Sequence, residues 1–140
     1  MNDNKRLLFL LNSFRQDHSL LQELYEEIYR SSFFMIIAVS STKEEIFPAM
    51  YEIDNNRKAI GLYTSKDIPV LKRFYEQEKD NGGTLVSMEG PKLWPLIKDF
   101  FSIEDPINVI QIDPETEYGI TLQPHMFVRM CNHCKELKES

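Results

Sequence analysis

The chain has 140 residues, 42% hydrophobic and 27% charged, a balance that fits one globular domain and excludes a disordered or fibrous chain. A domain of this size buries about 68–70% of the surface its unfolded chain would expose, so folding requires neither metal nor disulfide. The formal net charge is −6, with cations scattered as Lys5-Arg6, Arg57-Lys58 and Lys72-Arg73, which argues against a phosphate-backbone partner.

Apolar residues over Leu7–Phe14 and again over Leu20–Ile28 recur at helical spacing, giving two helices with a corner at Asp17-His18-Ser19. One continuous helix is the alternative. Ser19 and Gln22 match a capping box at the start of the second helix. The opening run Leu7–Leu11 gives way at once to Asn12, Ser13, Arg15 and Gln16, unlike the apolar core of a signal peptide. Phe33–Val39 is the longest apolar run and falls well short of the roughly 20 residues that span a membrane. With two cysteines and no export signal, the chain is expected in a reducing cytoplasm.

Phe33–Val39 reads as a buried strand. Ile46–Ile53 reads as a second, with Pro48 placing it at an edge or bulge. Asp54-Asn55-Asn56-Arg57 is turn chemistry, and Ala59–Tyr63 returns as an antiparallel partner. Thr64-Ser65 is expected to open a third helix, with Asp67 in its first turn and Asn81-Gly82-Gly83 as its stop. Thr84–Met88 is a short strand. Gly90-Pro91 starts a helix whose buried face is Leu93, Trp94, Ile97, Phe100 and Phe101, with Pro95 making it short or irregular.

Beyond Asp105-Pro106, Ile107–Ile112 is a strand, Asp113–Thr116 a loop and Tyr118–Leu122 a further short strand. Pro124 opens the last helix, expected to fray from Lys135. This order predicts one α+β (mixed α/β) domain over 1–140. Its mixed five- to six-stranded sheet carries the N-terminal helical pair and further helices packed against it.

Gly61-Leu62-Tyr63-Thr64-Ser65-Lys66-Asp67 resembles a segment of the SseB N-terminal-domain family. So does the helix entered near Gly90-Pro91 with Leu93, Trp94 and Ile97, and so does Ile110-Gln111-Ile112-Asp113-Pro114 followed by Gly119. The likeness runs in order from about Phe33 to Phe127. It implies a small bacterial cytoplasmic domain of the kind described by enhanced serine sensitivity on overexpression, with no catalytic residues to carry over. Asp113 stands where Asn is common in that family, and Tyr63 where Phe is common.

Three loops follow strands and carry polar residues: Thr64, Ser65 and Asp67; Glu89; and Asp113 to Gly119. If their strands run parallel, these loops converge at one sheet edge, where α/β proteins place ligands. A plain helix cap is the favoured reading of Thr64-Ser65 over an anion site, and no phosphate-binding loop signature accompanies it. Cys131-Asn132-His133-Cys134 offers two thiols with His125 and His133 nearby. A zinc site needs four ligands and a redox pair a helix N-terminus, so two ordinary thiols are the expectation and no cofactor is assigned. Glu26-Glu27, Glu44-Glu45 and Glu115 with Glu117 read as solvated surface, His18 as a corner residue without a nucleophile partner, and Trp94 as core. The resulting expectation is a non-enzymatic protein-interaction or regulatory module that contacts neither nucleic acid nor membrane. The alternatives are a small-ligand or anion binder using these loops, and an immunity-type protein that captures a basic partner.

Overall fold

The computed structural model describes residues 5–39, 46–54, 57–101, 108–114, 116 and 119–139. The Asn55-Asn56 turn tip, Glu44-Glu45, Asp105-Pro106, Glu115, Glu117 and Tyr118 lie outside the described residues. Helices α1 (Lys5–Phe14) and α2 (Leu21–Arg30) form the N-terminal pair. The corner between them is a 3-10 turn, His18–Leu20, capped by Asp17: the Ser19 amide (3.0 Å) and Ser19 hydroxyl (2.5 Å) both donate to its carboxylate. Asp17 therefore does the work expected of Ser19, because the 3-10 turn starts two residues before the capping-box register.

The strands are β1 (Ser32–Val39), β2 (Ile46–Pro48), β3 (Met50–Asp54), β4 (Arg57–Leu62), β5 (Thr84–Glu89), β6 (Asn108–Ile112) and β7 (Ile120–Leu122). The α+β class holds, with the strands divided between two sheets rather than gathered in one of five or six. Their orders are β2-β1-β5, all antiparallel, and β3-β4-β6-β7, in which β4 and β6 run parallel. The predicted strand Ile46–Ile53 changes sheet midway. Pro48 lacks the donor to extend the edge ladder, and the chain leaves β1 after Ala49, whose amide still donates to the Ile36 carbonyl at 2.9 Å. A reciprocal bridge between Phe34 and Tyr63 joins the two sheets again.

Side-chain alternation gives the β3-β4-β6-β7 sheet two different faces. Ile60, Leu62, Ile110, Ile112 and Leu122 point into the main core beside Leu7 and Leu10 of α1 and Leu24 and Ile28 of α2. That core is completed by α4 (Gly90–Phe101), through Leu93, Trp94 and Ile97, and by α5 (Pro124–Glu139), through Phe127 and Met130. The opposite face carries Ala59, Gly61 and Tyr63 on β4 and just beyond it. A second cluster forms there, in which Tyr63 and Ile36 meet Ile68 and, from α3 (Pro69–Glu78), Leu71 and Phe74.

Trp94 is core as expected, 3% exposed, with its indole N–H donated to the Tyr29 carbonyl at 2.6 Å. Gly90 makes this approach possible, since a side chain there would run into the Tyr29 carbonyl and the indole. Pro95 lies inside α4, which nevertheless runs twelve residues: the lost backbone bond is outweighed by burying Leu93, Trp94 and Ile97. The last helix runs through Lys135 to Glu139. Among the described residues, no helix is long and apolar enough to cross a membrane.

Candidate functional site

The parallel pairing of β4 with β6 brings their carboxyl ends together, as the loop argument required. Leu62 is opposite Ile112, and the Asp113 amide donates to the Leu62 carbonyl at 2.9 Å. Asp113 is 2% exposed and has φ of 48°, in the left-handed region that Asn and Asp enter more readily than other side-chain-bearing residues. This turn aims its carboxylate back at Thr64, whose amide (2.8 Å) and hydroxyl (2.6 Å) both donate to it. Burial pushes the Asp113 carboxyl above its ordinary value; the two bonds from Thr64 act in the opposite direction.

The loop beyond is closed by its own bonds. The Thr116 hydroxyl donates to the Asp113 carbonyl at 2.7 Å, and the Gly119 amide to the Thr116 carbonyl at 3.2 Å. Gly119 packs so near the Asp113 carbonyl that an added Cβ would sit 2.8 Å from it. Arg15, just beyond the end of α1, donates to the Gly119 carbonyl at 3.0 Å, tying the loop to the helical pair.

Thr64-Ser65 does not open α3. Pro69 occupies the first turn and holds Ile68 extended (φ −68°, ψ 126°), so the cap is Ile68 and the helix starts later than expected. Ser65 instead accepts from the Asp67 amide at 3.1 Å, a local turn, and Asp67 is exposed. The anion that meets Thr64 is thus the protein's own carboxylate. Glu89 does not join this group: it ends β5 in the other sheet and lines a separate surface depression with Ser87, Met88, Lys92 and Leu96.

Beside the Asp113–Thr64 junction lies a cleft of about 460 Å³, walled by Tyr51, Glu52 and Ile53 of β3, by Val70, Arg73, Phe74 and Gln77 of α3, and by Tyr63, Gln111 and Pro114. The helix residues are spaced i, i+3, i+4, i+7 and so share one stripe. Tyr51 meets Phe74 edge to face at 5.4 Å, and its hydroxyl donates to the Gln111 side chain at 2.5 Å. The register explains how Tyr51 reaches across: Gly61 lies on the intervening strand, and even one Cβ there would come within 2.5 Å of the Tyr63 hydroxyl. Gln111 and Pro114 are shared with a smaller depression of about 270 Å³ formed with Thr116, Gly119, Ile120 and Thr121. Sequence reading located the loops at this end of the sheet and missed Tyr51, Phe74 and Gln111. The available signal was the alternation Ala59-Ile60-Gly61-Leu62, which leaves one face of β4 large and the other small.

Cys131 and Cys134 stand three apart on α5 as thiols, not joined in a disulfide. Cys134 is buried against the Tyr25 carbonyl (3.9 Å), and burial pushes its thiol up to about 11, with Glu26 and Cys131 adding to the rise. His133 pairs with Glu26 at 3.0 Å. Among the described residues, no group of three or more His, Cys, Asp or Glu side chains is arranged to hold a metal ion. Comparison with known protein families, with curated proteins and with solved structures found no match.

Proposed function

We propose that this chain is a non-enzymatic interaction module, of the cytoplasmic SseB N-terminal-like type its sequence resembles, that receives a segment of a protein partner in the cleft between β3 and α3. The observation that supports this reading is the lining of that cleft. Tyr51 and Phe74 supply rigid aromatic area, while Arg73 and Gln77 stand exposed on the helical wall, the mixture found where proteins recognise one another. The Thr64 amide and hydroxyl are both engaged by Asp113, so an anion at that turn would compete with an internal carboxylate. A small-molecule occupant of the cleft is the second reading, favoured by a volume within the roughly 300–1,000 Å³ of ligand pockets.

The test is photo-crosslinking from Gln77 in native lysate, alongside a pull-down with the double variant Arg73→Glu, Gln77→Glu. Both positions are exposed, and urea unfolding of the variant verifies its fold before binding is compared. A stoichiometric protein crosslinked at Gln77 and lost from the variant is the expected result. A partner retained in full by the variant, or a protein that co-purifies only with a bound metabolite, would overturn the proposal.

A further inference from the structure

The end of α3 carries a sequence with chemistry of its own. The helix runs into a 3-10 turn, Lys79–Asn81, and the chain then reverses at Gly82, with φ of 88° and ψ of 9°. Gly83 donates its amide to the Glu78 carbonyl at 2.8 Å, which closes the turn. A Cβ built on Gly82 would meet nothing within 4 Å, and Gly82 is exposed. Gly82 therefore lies at the surface, in a turn where the space a side chain would fill is open.

We infer that Asn81-Gly82 is a modification site, at which spontaneous deamidation converts asparagine to isoaspartate or aspartate. The Gly82 backbone nitrogen attacks the Asn81 carboxamide carbon. A C–N bond forms, the nitrogen's proton is lost, and the carboxamide nitrogen departs as ammonia to leave a cyclic imide. Water then adds to one imide carbonyl and opens the ring. Cleavage on one side gives aspartate, and on the other gives isoaspartate, whose backbone is one methylene longer. Water is the only co-reactant, and no electrons change hands. Glycine matters because it lacks the Cβ that hinders attack at other residues.

The place gives the reaction a consequence. Either product puts a new carboxylate at the C-terminal end of α3, beside Glu78 and Asp80, where the helix dipole is already negative. The isoaspartate product also lengthens the turn that the Gly83–Glu78 bond closes. Both effects loosen the end of the helix that supplies the cleft stripe Val70, Arg73, Phe74 and Gln77. The modification acts as an age-dependent weakening of the α3 wall; this last step rests on the cleft being the binding site, whereas the reaction itself does not.

Purified protein held in mildly alkaline buffer, then mapped by peptide mass spectrometry and labelled with a protein isoaspartate methyltransferase, tests the site. Asn12, followed by Ser13, and Asn132, followed by His133, are internal standards in the same sample. The expected result is methyl-accepting isoaspartate concentrated at Asn81 while Asn12 and Asn132 keep their amides, with Gly82→Ala slowing conversion by about tenfold. Asn81→Asp is expected to lower the thermal midpoint in parallel with the aged wild type. Conversion at Asn81 no faster than at Asn132 would overturn the inference, whatever the cleft binds, and can be read even if the Gly82 variant folds poorly.

Discussion

Replacing Asp113 separates two roles that its position combines, holding a left-handed turn and accepting both donors of Thr64. Asp113→Ala leaves the Thr64 amide and hydroxyl without this acceptor in a site where Asp113 is 2% exposed. Losing a buried partner of this kind costs about 1–3 kcal/mol. Alanine must also adopt φ of 48°, a further cost of roughly 1 kcal/mol for a residue with no polar side chain to compensate. The expected loss is therefore about 2–4 kcal/mol. Asparagine enters the left-handed region readily and keeps a carbonyl oxygen for the Thr64 amide, so Asp113→Asn is expected to cost less than about 1 kcal/mol near neutral pH.

The pH dependence distinguishes these roles further. Burial raises the Asp113 carboxyl above its ordinary 3.8, so the folded chain keeps this proton over a range where the unfolded chain has released it. Fewer protons on the unfolded state mean that this group's contribution to stability falls as pH rises from 3.8 through the folded value, then levels off. Asp113→Asn has no such group and lacks this decline. Urea unfolding followed by the fluorescence of the single, buried Trp94 measures both proteins across that range. If the wild type instead gains stability over Asp113→Asn as pH rises there, the bonds from Thr64 outweigh burial and the reasoning fails.

Gly61→Ala is expected to destabilise the fold by about 1–3 kcal/mol, because its Cβ overlaps the buried Tyr63 ring; a denaturant midpoint equal to wild type would mean that the ring moves at little cost. Thr64→Val removes the hydroxyl and keeps the amide, so it should cost about 1–2 kcal/mol, measured by the same urea unfolding. Cys134, buried and pushed up to about 11, should resist alkylation at neutral pH until the protein unfolds, while the less buried Cys131 reacts first. Peptide mapping after a timed iodoacetamide pulse checks that order.

The parts of this fold that were legible in sequence are those where local chemistry and tertiary packing ask for the same thing. Phe33–Val39 is apolar throughout because it lies between two neighbouring strands and contributes to both clusters, Phe33 and Met35 to one and Ile36 to the other. Helix faces such as Leu93-Trp94-Ile97 were readable for the same reason. Boundaries were misplaced where one residue's backbone preference overrode a plausible cap. Ser65 has the chemistry to start a helix, but Pro69 and the extended Ile68 before it put the start further on. Nor does a one-dimensional pattern reveal that a strand changes sheets, since Ile46–Ile53 has the same alternation whether it keeps one partner or takes two.

The cleft was harder to read because it is built from what β4 leaves out. Ala59 and Gly61 put almost no volume on one face, so Tyr63 and Tyr51 lean across the space from either side and Gln111 meets the Tyr51 hydroxyl from β6. None of these residues is unusual for its element, and the feature exists only once the parallel β4–β6 pairing sets Gly61 opposite Gln111. The same pairing brings Asp113 to Thr64 and leaves Pro114 as part of the cleft wall. Asp113 adjoins the cleft through Pro114, so a change in its turn is expected to reach the proposed binding surface while the cleft's side chains stay the same. Comparing Asp113→Asn with Asp113→Ala in the Gln77 crosslinking experiment exposes that dependence: crosslinking kept by asparagine and lost by alanine, with both proteins folded, would place the turn's geometry in control of the cleft. Equal crosslinking by the two would assign Asp113 to stability alone.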